Sequence, residues 1–112
     1  MINKIKSRKD FIKIQKNGSK VISAGLVLQY LKNSNQANPS RFGFTASKKV
    51  GGAVQRNKAK RRMRSLVFDV MKKFETKGCD YVLIARKEIV HRKYQKLKND
   101  LVWAIKNLKP KI

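Results

Sequence analysis

The sequence is poor in the residues that build catalytic and metal sites: it has one cysteine, one histidine and only six acidic side chains in 112 residues. A lone Cys79 cannot close an intramolecular disulfide, and with His91 as the only histidine the donor set of an ordinary zinc site is missing. No paired carboxylates, Ser/His/Asp set or G-x-x-x-x-G-K-[ST] loop is present, so the chain is not an enzyme on its own side chains. No apolar run approaches the ~20 residues that span a bilayer, and the N-terminus has no charged, apolar and small-residue sequence of the secretory kind. These absences point to a soluble, cytoplasmic protein.

The scarcity of acid has the largest consequence. Against six acids stand 29 lysines and arginines, for a net charge of +23. Such an imbalance repels itself in the folded state and calls for a polyanionic partner. The charge is also clustered: thirteen basic residues and no acidic one lie between Asp10 and Asp69. A solubilising coat would mix signs along the chain, so this block reads as a binding surface. A membrane surface is disfavoured, because the basic segment lacks a wide Trp/Phe-rich apolar face.

Length allows one domain, 1–112. Ser7 as N-cap, Asp10 in a first turn, Phe11 and Ile14 at helical spacing and Gly18 as a stop predict a helix over 7–17. Residues 20–32 (KVISAGLVLQYLK) predict a strand with Gly25 as a candidate bulge, or two strands if the region is split. RFGFTAS (41–47) alternates, with Phe42, Phe44 and Ala46 on one face and Arg41, Gly43, Thr45 and Ser47 on the other. A long helix is expected from Ala53 to Lys77, a strand over 80–86 and a closing helix over 91–108. The fold class is α/β (α+β): a two-layer sandwich in which helices pack on one face of a small mixed sheet, burying Phe42, Phe44, Val82 and Ile84.

The long helix is where the charge concentrates. Ala59, Met63, Leu66, Val67, Val70, Met71 and Phe74 form its apolar stripe. Asn57, Arg61 and Arg64 share another face, Lys58 and Arg62 run beside it, and Arg56 and Lys60 fall nearly in line with the stripe at the first turns. A solvated charged face gains from alternating ion pairs, and this one has no acid to pair with. The N-terminus of the helix, preceded by Gly51-Gly52, suits phosphate oxygens. Nucleic acid is the partner this pattern fits. Cys79 reads as a small packing residue, His91 as a surface residue at a helix start, and Trp103 as half-buried rather than a base-stacking platform.

Taken together, RFGFTASKKVGGAVQRNKAKRRMR and GCDYVLIAR resemble the protein subunit of bacterial ribonuclease P. SKKVGGAVQRNKAKR follows that family's K-K-x-G-x-A-V-x-R-N-R-x-K-R pattern after a polar-faced strand. Asp10-Phe11, Gly18 and the Ile84-Ala85-Arg86 strand end extend the similarity over almost the whole chain. The resemblance implies an α-β-β-β-α-β-α order with a left-handed β-α-β crossover, against the usual handedness. It also implies a ribonucleoprotein that removes the 5′ leader from precursor tRNA, with Mg2+-dependent chemistry carried by the RNA subunit and one protein monomer per RNA.

By that resemblance, Lys48, Lys49, Arg56, Asn57, Lys58, Lys60, Arg61, Arg62 and Arg64 contact the catalytic RNA. Phe11, Gln15, Gln29, Arg41, Thr45 and Ser47 line a cleft for the leader between the first helix and the sheet. Lys58 replaces an arginine of the pattern, keeping charge but losing bidentate phosphate geometry. Gln15 and Gln29 stand where many members carry cleft aromatics, and Tyr30 would face away from the cleft unless a bulge at Gly25 shifts the register. The main alternative is a structural RNA-binding protein such as a small ribosomal protein. A DNA-binding helix module lacks the preceding helix and short turn, and an independent nuclease lacks clustered carboxylates.

Overall fold

The structure, a computed structural model, describes residues 3–32, 39–71 and 77–108. The elements run β1 (Asn3–Lys4), α1 (Arg8–Asn17), β2 (Ser19–Ile22), β3 (Leu26–Lys32), β4 (Arg41–Thr45), α2 (Ala53–Val70), β5 (Cys79–Ala85), a 3-10 turn (Lys87–Val90) and α3 (Tyr94–Lys106). The five strands form one mixed sheet in the order β1-β4-β5-β3-β2. β4 lies parallel to β1 and β5, while β3 is antiparallel to β5 and β2. Because β4 and β5 are parallel neighbours, the chain between them must cross the sheet, and α2 is that crossover.

The two faces of the sheet carry separate cores. Leu26, Leu28, Phe42, Tyr81 and Leu83 pack with Ala59, Met63, Leu66 and Val67 of α2 and Leu97 and Leu101 of α3. Most of these side chains are fully buried, each leucine, valine or methionine contributing roughly 1.5–3 kcal/mol. On the other face, Ile14 of α1 packs with Ile5 and Val82, flanked by Phe11, Leu31 and Ile84. The expectation that Phe42, Phe44, Val82 and Ile84 share one buried face is thereby corrected. Phe42 pairs in register with Tyr81, and Phe44 with Leu83, so strand alternation turns Val82 and Ile84 to the opposite side.

α1 starts where the sequence predicts, with Ser7 Oγ accepting from Lys9 N at 3.1 Å and Asp10 in the first turn. Region 20–32 is two strands: Gly25 lies in the β2–β3 turn, not in a bulge, and its carbonyl accepts from Arg86 N at 3.1 Å. α2 is shorter than expected, ending at Val70. Lys77 is extended and bridges Pro39, and Gly78 with φ +73° turns the chain into β5. Phe74, assigned to the apolar stripe, lies outside the described residues. α3 begins at Tyr94 rather than His91, because Ile89 and Val90 first enter the core through the 3-10 turn.

Candidate nucleic-acid interface

The α1 face of the sheet is only partly covered, and the register shows where. Gly43, Val82 and Gln29 form one cross-strand row, and all three are buried beneath α1. Phe11 closes over Gly43, where any Cβ would overlap its ring. The next row, Thr45–Ile84–Val27–Ile22, has no buried member. It forms an open strip of sheet beside α1, about three strand spacings, or roughly 14 Å, across, where the sequence reading puts the floor of the cleft. Gln15, one helical turn beyond Phe11, is exposed on the same side of α1.

Gln29 is only 9% exposed, so it belongs to the covered part of this face rather than to the open floor. Tyr30 points away: with no bulge in β3, alternation carries it to the α2 side, where its ring stacks on Tyr81 at 5.9 Å. Among the described residues, Phe11 is thus the aromatic group at the cleft. Arg41 is held rigidly, donating to both carboxylate oxygens of Asp80 at 3.0 and 2.7 Å and to Asp10 at 3.2 Å. These bonds raise its pKa further above the ordinary arginine value. Arg41 therefore ties α1 to the sheet, and most of its charge is already answered.

Beyond Thr45 the chain turns through Ser47–Val50 into α2. Ser47 is exposed, and its carbonyl and Oγ accept from Val50 N (3.0 Å) and Lys49 N (3.3 Å). Lys48 and Lys49 are exposed at this turn. Gly51, at φ +144°, supplies a conformation that side chains disfavour. Gly52 caps α2 without a side chain, and the first turn holds no acid. The N–H groups there therefore present positive potential alongside the two lysines.

Along α2, Asn57, Lys58 and Arg61 are exposed, and Arg56, Lys60 and Arg64 are half-buried. Among the described residues no ion pair joins a carboxylate to a cation of α2; the ion pairs are those of Arg41 and Arg92. Arg62 departs from the expected set. Its guanidinium donates to the carbonyls of Ile89 (2.6 Å), Val90 (3.2 Å) and Arg92 (2.6 Å), locking α2 to the 3-10 turn. Its donors face inward, so it holds the helix in place. Sequence reasoning also missed the anchoring roles of Asp80, which the parallel register of β4 and β5 sets beside Arg41, and of Asp10, which α1 brings to the same guanidinium.

Cys79 is half-buried, and burial raises its thiol pKa, as suits a packing residue. His91 is exposed at the end of the 3-10 turn, and Trp103 is 51% exposed. Among the described residues no three His, Cys, Asp or Glu side chains cluster, and Asp10, Asp80 and Asp100 are paired with arginines. No helix among them is long and apolar enough to cross a membrane.

The ribonuclease P family profile matches residues 2–109. The ribonuclease P protein component of Paramagnetospirillum magneticum is 41% identical over 110 residues, covering 96% of this chain and 83% of its own. That of Gluconacetobacter diazotrophicus is 42% identical, covering 88% and 84%. Two solved structures are similar in fold. The RNase P protein of Staphylococcus aureus is 30% identical with a TM-score of 0.78, over 95% of this chain and 94% of that one. The RNase P protein of Thermotoga maritima is 27% identical with a TM-score of 0.80, over 96% and 98%. Alike in sequence and in fold along nearly its whole length, the chain belongs to the ribonuclease P protein family.

Proposed function

We propose that residues 1–112 form one RNA-binding domain that acts in the cytoplasm as the protein subunit of ribonuclease P. It binds the catalytic RNA and the 5′ leader of precursor tRNA, and so promotes endonucleolytic removal of the leader. The observation that carries this reading is an adjacency. The open row Thr45–Ile84–Val27–Ile22 leads at its β4 end into the Ser47–Val50 turn and the start of α2. An unpaired strand can lie on the half-apolar floor beside Phe11, while a second RNA meets the cationic helix.

Lys48, Lys49, Arg56, Asn57, Lys58, Lys60, Arg61 and Arg64 are the residues offered to the catalytic RNA, with Arg62 holding the helix that carries them. Phe11, Gln15, Thr45 and Ser47 line the leader's path; Gln29 and Arg41 support it from beneath. The protein offsets phosphate repulsion between the two RNAs, an effect that weakens as salt screens it. Hydrolysis is the work of the RNA subunit, with Mg2+ held by that RNA and the substrate. One protein monomer serves each RNA.

The test is cleavage of a precursor tRNA at low magnesium by bacterial ribonuclease P RNA, with and without this protein. Protein-dependent cleavage at the mature 5′ end is expected, and purified protein alone should show little nuclease activity. Absence of enhancement with a well-folded RNA, together with tight binding to ribosomal RNA fragments, would instead favour a structural RNA-binding protein.

A further inference from the structure

The cleft floor does not stop at the sheet. Its outermost residue, Ile22, is the last of edge strand β2 and is 55% exposed. It also lines an open hollow of ≈ 410 Å³ formed with Ser23, Ala24, Arg86, Asp100 and Trp103. Ile22 therefore belongs to both features, and the hollow continues the cleft around the edge of the sheet.

Trp103 of α3 lines the same hollow. On α3 the buried positions are Leu97, Leu101 and Ala104, and Trp103 lies off that stripe with half its surface open. Single exposed apolar residues are ordinary; here two line one cavity that adjoins a proposed RNA path. The surroundings also suit a nucleotide. Arg86 is exposed and fixes the β2–β3 turn by donating to Ser23 O at 2.7 Å. Asp100, the one acid in the hollow, is held by two bonds from Arg92 at 2.7 and 2.9 Å, so its charge is answered.

We infer that an RNA strand lying in the cleft continues past Ile22 and stacks an unpaired nucleobase on the indole of Trp103. This rests on the cleft reading given under Proposed function. A nucleobase is the occupant that the charge favours. A second copy of the chain would bring another +23 against this edge, whereas RNA carries the opposite sign and its bases stack on aromatic rings without regard to sequence. The site adds an aromatic platform around the sheet edge from a cleft in which Gln15 and Gln29 offer none.

Trp103 is the only tryptophan, so its emission reports the site without labelling. The experiment titrates the full chain with single-stranded oligoribonucleotides of graded length, from about 3 to about 16 nucleotides. Tryptophan emission is followed, and affinity is read from the anisotropy of end-labelled strands. Short strands should bind without quenching. Beyond a threshold length emission should fall, and affinity should rise by about 5- to 150-fold.

Trp103→Ala should abolish that rise and leave short strands unaffected, and Trp103→Phe should restore most of it. Ile22→Ser, made away from α3, should blunt both the rise and the quenching. Emission unchanged at every length would overturn the inference without need of any variant. So would an undiminished rise in a folded Trp103→Ala protein, or quenching on concentrating the protein without RNA, which would mean that a second copy covers the site. Phe11→Ala separates the two readings. If it weakens short and long strands alike while Trp103→Ala is silent, only the extended track fails; if it changes neither, the cleft reading fails as well.

Discussion

The ring of Phe11 occupies the space that a side chain at position 43 would need: a Cβ on Gly43 would overlap its Cε1 and lie 2.6 Å from its Cζ. The wall of the cleft and the absence of a side chain in the covered row beside its floor are thus one feature. Gly43→Ala should displace the ring, a half-buried and movable group, rather than break the strand. Overpacking of this kind costs about 1–3 kcal/mol, and the low end is expected here. Precursor tRNA affinity should fall more than thermal stability does, with binding to the RNA subunit unchanged. A variant that loses stability but keeps full precursor affinity would show that the ring does not touch the leader.

Arg61 and Arg62 are neighbours with opposite duties. Arg61 is exposed, whereas Arg62 donates to three backbone carbonyls around the 3-10 turn. Arg62→Ala should cost about 2 kcal/mol, in the range for hydrogen bonds to charged groups, and lower Tm by roughly 10 °C. Arg61→Ala should change stability by no more than about 0.5 kcal/mol. Its effect belongs to RNA binding, where the slope of log K against log salt should shrink by about 1. Thermal unfolding and salt-dependent binding on both variants check the contrast, and equal effects on stability would contradict the assigned roles.

All three tyrosines ionise later in the folded protein than free tyrosine does. Burial is the first cause at Tyr30 and Tyr81, whose pKa values are raised. Tyr94 is pushed up to about 12 by burial first and then by its hydrogen bond to the Asp69 carboxylate. Unfolded tyrosine ionises near ~10, so above that pH the unfolded chain loses protons that the folded chain keeps. The stabilising contribution is therefore complete below about pH 10 and disappears as pH rises through the folded values. Tyrosinate absorbance should appear later in native protein than in denaturant, and Tyr94→Phe should remove the component near 12. Coincident titrations with and without denaturant would refute this.

What could be read from the sequence was whatever depends on neighbours along the chain. Ser7 and Asp10 announce the start of α1, the spacing Ala59–Met63–Leu66–Val70 gives the buried side of α2, and alternation over 41–47 separates Phe42 from Gly43. What could not be read depends on contacts across the chain. Nothing local says that Arg62, alone in its basic run, meets carbonyls from residues 89–92. The fate of Tyr30 turned on whether Gly25 was a bulge or a turn, which the pairing of β3 with both neighbours decides. The cleft floor likewise needs the register of four strands, since Ile22, Val27, Thr45 and Ile84 have nothing in common as sequence.

The last prediction concerns the unanswered charge. With +23 on the chain and no carboxylate paired to a cation of α2 among the described residues, self-repulsion acts on the folded state. An anion that binds the folded protein alone stabilises it by mass action, about 2.7 kcal/mol at a hundred times its dissociation constant. Sulfate should therefore raise Tm beyond what chloride does at equal ionic strength, and helical ellipticity at low salt should increase with it. Screening alone would make the two salts equivalent. Replacing Lys48 and Lys49 with alanine distinguishes a located site from a diffuse atmosphere. It should raise Tm slightly without sulfate, by relieving repulsion, and reduce the gain sulfate brings. An unchanged Tm on adding sulfate would mean that the fold tolerates its own charge, and that the cations of α2 are far enough apart to need no anion until RNA arrives.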